Sequence, residues 1–413
     1  MNDITKNTAK NTIFLYCLTF AKLVFPLLTL PYLTRVLSSE QYGFVAYVKS
    51  FMSYMQIIID FGFILSAVKD IVNATSNNQK IGEITGQIII AKIGLAFLIL
   101  FITLCCSFCI PILKKNQLYT ILYVISIMIT AFSTEYLFRG IEKMQIITVI
   151  FVVAKAVVVC LTFLFVKNDN DLLLIPIMEI AGNALSCVFT WIFIKRMHIQ
   201  IVFKHWKKSW KKLKDSAVYF FSSFSTTAFT ALNTLLIGIV VDDLTQVAFW
   251  SVAWQLISAV LSLYSPIIDG VYPQMIQKKD LAFIRKMLAL FIPIIVAGCT
   301  VCFFSAEWIL TIFAGKIYTK ASLIFRLLIP LLFFSFPSML FGWPALGCVK
   351  KEKLVTFSTF CGALCQVIGL TILIVSNRFS IYSVAILRVF TEIVIMAFRM
   401  SFLIKNRKLF NKG

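Results

Sequence analysis

Apolar runs of about 20 residues recur roughly a dozen times along this chain, each divided from the next by a short polar break. A helix of that length crosses a hydrocarbon core of roughly 30 Å. Only helices and closed barrels satisfy all their backbone polar groups in that medium. The pattern therefore predicts an all-α polytopic membrane protein. Sixty per cent hydrophobic residues over 413 positions, with 40 Phe, are far above the usage of a soluble core. The first apolar run, near 13–37, is too long for a signal-peptide core and has no small-residue cleavage site after it, so it reads as a retained first helix.

The predicted spans are 13–37, 42–68, 84–113, 118–138, 146–166, 172–194, 216–241, 246–268, 287–305, 321–343, 354–375 and 381–404. Their connections alternate in charge. Of the 39 Lys and Arg, 25 fall in one alternate set that includes both termini, 6 in the other set and 8 inside spans. By the positive-inside rule this places both termini in the cytoplasm with twelve helices between them. The net charge of +21 is thus topological, and nucleic acid is dropped as a partner. No outward connection exceeds about 15 residues, which argues against an external catalytic domain. The eleven Cys lie mostly inside apolar runs as small packing residues, and the two His, His198 and His205, share one linker, so no metal site is expected.

The longest connection, 195–215, carries eight Lys and Arg and divides the chain into an N-terminal six-helix lobe, 1–194, and a C-terminal one, 216–413. Within it Trp206, Trp210 and Leu213 recur at helical spacing among lysines, the pattern of a cytoplasmic interfacial helix. The lobes echo each other. "SSEQYGFVAYVKSF" (38–51) resembles "DLTQVAFWSVAWQL" (243–256), and "RGIEKMQIIT" (139–148) resembles "GCVKKEKLVT" (347–356). Nearly equal offsets argue for duplication of a six-helix unit, with a substrate site near the midplane between the repeats.

Charges inside spans cost at least about 2.5–3.5 kcal/mol each at the bilayer centre, so they face a wet cavity or a partner. Lys49, Ser53, Gln56 and Asp60 form one polar stripe on the second span, Glu179 and Asn183 another on the sixth, and Arg388 with Glu392 an i,i+4 pair on the twelfth. Lys155 lies deep in the fifth. Together they predict a hydrated cationic cavity. Lys49, Lys155, Lys22 and Arg388 are its candidate substrate-binding groups; Asp60, Glu179 and Glu392 are candidate cavity carboxylates or ion-coupling sites. Lys22, Lys92 and Arg326 lie within reach of an interface, where snorkelling is the alternative to a cavity role, and for Arg388 with Glu392 the alternative is a structural ion pair. Surplus Lys and Arg suit a phosphate or pyrophosphate. No Walker motif is present, so no nucleotide cofactor is expected.

Pro26 and Pro31 interrupt the backbone ladder of the first span, making it a bending element, while Arg35 sits near the external rim and Gly43 is expected to permit a tight reversal.

The stretch "LTLPYLTRVLSSEQYGFVAYVKSFMSYMQIIIDFGF" resembles the start of the Wzx-type oligosaccharide-lipid flippases, the polysaccharide-export branch of the superfamily of MATE exporters and lipid II flippases. The resemblance rests on Pro31 to Leu37, Glu40 to Gly43 and Asp60 to Phe63, with weaker matches at "FRGIEKMQ" (138–145) and "VYPQM" (271–275), and spans essentially the whole chain. It implies a flippase of the bacterial inner membrane that carries an undecaprenyl-pyrophosphate-linked oligosaccharide outward by alternating access, coupled to a proton or sodium gradient. Lys22 and Lys49 stand where basic cavity residues are usual in that family. Partners implied are the lipid-linked glycan, membrane lipids, and the polymerase and chain-length proteins of the same pathway. The second half lacks a P-Y-L-x-R equivalent, since "IGIVVDD" stands there. Three other readings fit less well. A MATE-like exporter of organic cations conflicts with the cationic stripe; a polymerase or ligase needs a large external loop; a scaffold leaves the deep charges unexplained.

Overall fold

The computed structural model describes residues 2–74, 77–203, 206–227 and 229–410. Every regular element among them is helical. The α-helices are α1 (Asn2–Val36), α2 (Ser39–Asp60), α3 (Phe63–Val72), α4 (Asn78–Cys109), α5 (Pro111–Lys115), α6 (Gln117–Ile129), α7 (Glu135–Gly140), α8 (Met144–Phe165), α9 (Leu174–Arg196), α10 (Trp206–Thr227), α11 (Ala231–Val241), α12 (Leu244–Lys278), α13 (Leu281–Phe304), α14 (Ala306–Ala314), α15 (Ser322–Leu340), α16 (Glu352–Val375) and α17 (Ile381–Lys405). Eleven stretches among the described residues are long and apolar enough to cross a membrane, twelve if α10 and α11 count as one broken span. Large side chains such as Phe101, Leu164, Phe304 and Val375 stand exposed along them. Water would penalise that surface; lipid tails do not.

The chain forms two compact units. One comprises 1–32, 36–41 and 48–227, the other 33–35, 42–47 and 228–413. The first packs α3, α4, α7 and α8 around Phe63, Ile71, Ile88, Leu137 and Phe138. It runs past the sequence boundary at Ile194 as far as Thr227, because α10 lies on α3 and α4. Lys212 reaches Asp70 at 2.5 Å, and the hydroxyls of Ser66 and Ser216 meet at 2.6 Å. The helix expected inside the basic connection starts at Trp206 and continues to Thr227. Leu213 packs onto the core while Trp210 is exposed; His205 and the Trp206 side chain fall outside the described residues. The second unit is built on α12, α13, α15 and α17 around Tyr264, Met275, Phe336, Leu340 and Ala345.

The sequence echo has a backbone counterpart. Before α8, Lys143 donates to the Phe138 carbonyl at 2.9 Å; before α16, Lys351 donates to that of Leu346 at 3.0 Å. Glu142 and Lys350, at the matching positions, both adopt positive φ, 57° and 61°. Likewise Ser38 caps α2 through Gln41 N–H, and Asp243 caps α12 through Thr245 N–H.

The opening motif separates into distinct contacts. α1 runs unbroken through Pro26 and Pro31, with the Thr29 hydroxyl within hydrogen-bond reach of the Phe25 and Pro26 carbonyls. Tyr32 places its hydroxyl 2.9 and 2.7 Å from the Phe163 and Val166 carbonyls at the end of α8. Arg35 donates to the Ile312 carbonyl at the end of α14, the usual use of a cation at a helix C-terminus. Gly43 does not make the reversal, which falls at Leu37 and Ser38 before α2 begins. It lies inside α2 for a different reason: a Cβ there would stand 1.8 Å from the Leu244 carbonyl oxygen. The span expected at 42–68 falls within one candidate span, Ser39–Val72, whose helix is interrupted at two residues. Phe61 and Gly62 take left-handed φ of 39° and 74° between α2 and α3, and the Phe61 ring stacks on Phe220 at 4.5 Å.

Candidate functional site

Within the first unit, α2, α6, α8 and α9 enclose a cavity of about 300 Å³. Helical spacing on α2 turns Lys49, Ser53 and Gln56 into it. Lys155 enters from α8; Glu179 and Asn183, one turn apart on α9, enter together. Lys155 Nζ lies 2.6 Å from Glu179 Oε2, with both side chains mostly buried. The rest of the lining mixes hydroxyls and amides with Met52, Tyr123 and Ile127. Asn183 donates to the Ser126 carbonyl and Oγ at 3.1 and 2.9 Å, and Gln56 Nε2 reaches Thr130 Oγ1 at 3.2 Å.

Two ammonium groups and one carboxylate give this space a net charge of +1 when all three are ionised. Glu179 is the ion-pair partner of Lys155, while Lys49 is exposed to the cavity. At about 4 Å and an effective dielectric of about 20, a unit anion gains about 4 kcal/mol of direct attraction from each cation it meets. An incoming phosphate thus competes with Glu179 for Lys155 and meets Lys49 without displacing anything. The surrounding amides and hydroxyls supply both donors and acceptors, which suits a polyhydroxylated group better than an apolar one.

The other sequence candidates lie elsewhere. Asp60 does not line the cavity with the rest of its stripe. It accepts from Gln56 Nε2 at 2.9 Å and pairs with Lys92 at 3.2 Å, so Lys92, 4% exposed, is neither snorkelling nor in the cavity. Lys22 stands with its Nζ 5.5 Å from the Phe151 ring centroid. Arg388 and Glu392 belong to the second unit, where they form the expected i,i+4 pair at 3.1 Å. The Arg388 guanidinium lies over the rings of Phe229 and Trp254 at 5.2 and 5.8 Å. Arg326 sits at a helix end with Glu307 at 3.3 Å and the Phe303 carbonyl at 3.1 Å. Glu135 pairs with Arg139 at 2.6 Å.

Two features escaped sequence reasoning. Arg399 on α17 spends its guanidinium on Ser358, Ser338 and Thr359, at 2.8–3.3 Å. A charge that far along the last span was a visible signal, but its partners are on α15 and α16. Elsewhere on the same helix, Thr391 joins Gln366 and Asn233 in a buried chain of hydrogen bonds at 2.7 and 2.9 Å. Among the described residues no group of three or more His, Cys, Asp or Glu is placed to hold a metal ion.

The helical order and the span count define a multi-pass membrane protein, whose fold is that of the MATE and MurJ structures. An inward-facing multidrug resistance MATE family transporter of the MOP superfamily superposes with a TM-score of 0.75 at 13% identity, covering 95% of this chain and 94% of that one. The lipid II flippase MurJ, in an inward closed conformation, gives 0.67 at 13% identity over 96% of this chain and 87% of its own. Residues 8–279 match the family described as "Polysaccharide biosynthesis protein", and the chain belongs to that family. A Shigella dysenteriae protein named "Putative O-antigen transporter" is 26% identical over 94% of this chain and 98% of its own length. One of the same name from Escherichia coli K12 is 28% identical over 34% of each chain.

Proposed function

We propose that the chain is a flippase that moves an undecaprenyl-pyrophosphate-linked oligosaccharide repeat unit from the cytoplasmic to the outer face of the bacterial inner membrane. The observation that carries this reading is the cavity where Lys49 and Lys155 face one space with a single carboxylate, in a member of a polysaccharide biosynthesis family. The pyrophosphate engages the two ammonium groups, and the first sugars meet Asn183, Gln56, Ser53 and Thr130. Glu179 holds Lys155 when the cargo is absent and returns to it on release, which makes the site reversible. The step is transport, with no bond made or broken. Both termini face the cytoplasm, access alternates between the two sides, and Pro26 and Pro31 are the points at which α1 bends during that change. Glu179, Asp60 and Glu392 are the carboxylates through which a proton or sodium gradient couples; Lys22 and Arg388 meet the cargo at other stages. Polymerase and chain-length proteins receive the product.

The test is complementation in a host lacking its own copy. Lys49→Ala abolishes surface polysaccharide at wild-type protein abundance in the membrane, and Lys155→Ala abolishes it even when polymer is normalised to that variant's own abundance, which the stranded Glu179 lowers. Wild-type polymer in both variants overturns the cavity assignment.

A further inference from the structure

A second, larger concavity of about 580 Å³ lies at the C-terminal end of α9, and none of the Lys49–Lys155 cavity residues lines it. One wall is α9 itself, through Val188, Trp191, Ile192 and Lys195; the other is the connection that follows, through Ile201 and Phe203. That second wall is built into the fold. Val202 N–H donates to the Gly82 carbonyl of α4 at 3.3 Å. Cβ atoms on Gly82 and Gly86 would stand 1.8 and 2.2 Å from the carbonyl oxygens of Gln200 and Val202. Two glycines on adjacent turns of α4 thus let the connection lie flat on it. Ile199 is thereby buried in the core, and Phe203 remains exposed.

We propose that this groove binds one acyl chain of an anionic phospholipid, with its phosphate at Lys195. The groove is apolar everywhere except at that lysine, and its volume falls in the roughly 300–1,000 Å³ range of pockets that enclose a small ligand. Further cations stand near that lysine: Arg196 follows Lys195, and Lys143 reaches the sulfur of Met197 at 3.4 Å. Trp191 stands one turn before Lys195, the place where an indole sits at a membrane interface. On the charge reading of the topology this end faces the cytoplasmic leaflet, whose anionic lipids attract such segments. The transported lipid is a different molecule. Glu179 and Lys195 lie sixteen residues apart on α9, about 24 Å at 1.5 Å per residue, so a phosphate at Lys155 and one at Lys195 belong to separate headgroups.

The purified full chain in nanodiscs, exposed to phosphatidylglycerol carrying a photoreactive acyl chain, tests this. Labelling is expected on peptides covering 188–203, competed by unlabelled phosphatidylglycerol. Val188→Trp fills the groove and abolishes it; Lys195→Gln lowers it about fivefold, equivalent to the ~1 kcal/mol that one lysine contributes beside an anionic surface. Both variants keep the wild-type melting temperature, and if Val188→Trp does not fold, Lys195→Gln and the competition decide. Equal labelling by a phosphatidylcholine analogue, labelling confined to other peptides, or displacement by undecaprenyl phosphate but not by phosphatidylglycerol overturns the proposal.

Discussion

Gly43 and Leu244 meet backbone to backbone: a β-carbon on Gly43 would fall 1.8 Å from the Leu244 carbonyl oxygen, with Ala248 N at 3.3 Å. No rotamer relieves such a contact, since the obstructing atoms are main chain. Gly43→Ala therefore forces the start of α2 away from the start of α12. Overpacking of this kind costs about 1–3 kcal/mol. The expected result is a lowered melting temperature in detergent; an unchanged one would show that the contact yields freely.

Lys155 and Glu179 are expected to be strongly coupled. Removing either leaves the other charged group mostly buried without its counter-ion, whereas removing both leaves no stranded charge. Lys155→Met and Glu179→Leu should each destabilise, and the double variant should lose less than their sum. The side chains keep 30% and 17% exposure, so a coupling of about 1–2 kcal/mol is expected. A double-mutant cycle from denaturant unfolding in micelles reads it; additive losses would mean the 2.6 Å contact contributes nothing.

Lys92 is the more buried partner of its pair with Asp60. Asp60→Asn should thus destabilise by about 1–3 kcal/mol, since the buried ammonium loses its counter-ion. Adding Lys92→Met to Asp60→Asn should restore most of the loss. Thermal unfolding of the three variants checks the order, and a double variant weaker than Asp60→Asn would count against it.

Arg399→Lys retains the charge but gives up the planar fork that reaches three side chains on two helices. A lysine cannot match that geometry. A loss of about 1–3 kcal/mol is expected, with Ser338, Ser358 and Thr359 only partly satisfied afterwards. Near-wild-type unfolding of Arg399→Lys would show that charge alone suffices.

The degree to which these features were legible follows from their range. Arg388 with Glu392 could be paired on paper, because i,i+4 neighbours on one helix meet whatever surrounds them. The stripe Lys49, Ser53, Gln56 was equally local. Its fourth member, Asp60, lies at the end of α2, beside the Phe61–Gly62 break, and pairs with a lysine on α4, a partner that no spacing along α2 specifies.

The amino-acid order alone determined the membrane class, the number of spans within one, the echo between the two turns and the family motif. Hydrophobic length, helical periodicity and turn spacing are local quantities, and lipid imposes them directly on the chain. Tertiary structure decided which charges share a cavity, why Gly43 must lack a side chain, and that 216–227 packs with the first unit. Those depend on the rotation and separation of helices distant in sequence. Between apolar surfaces in lipid these are set by close packing and polar pairing, neither of which has a period that can be read along the chain.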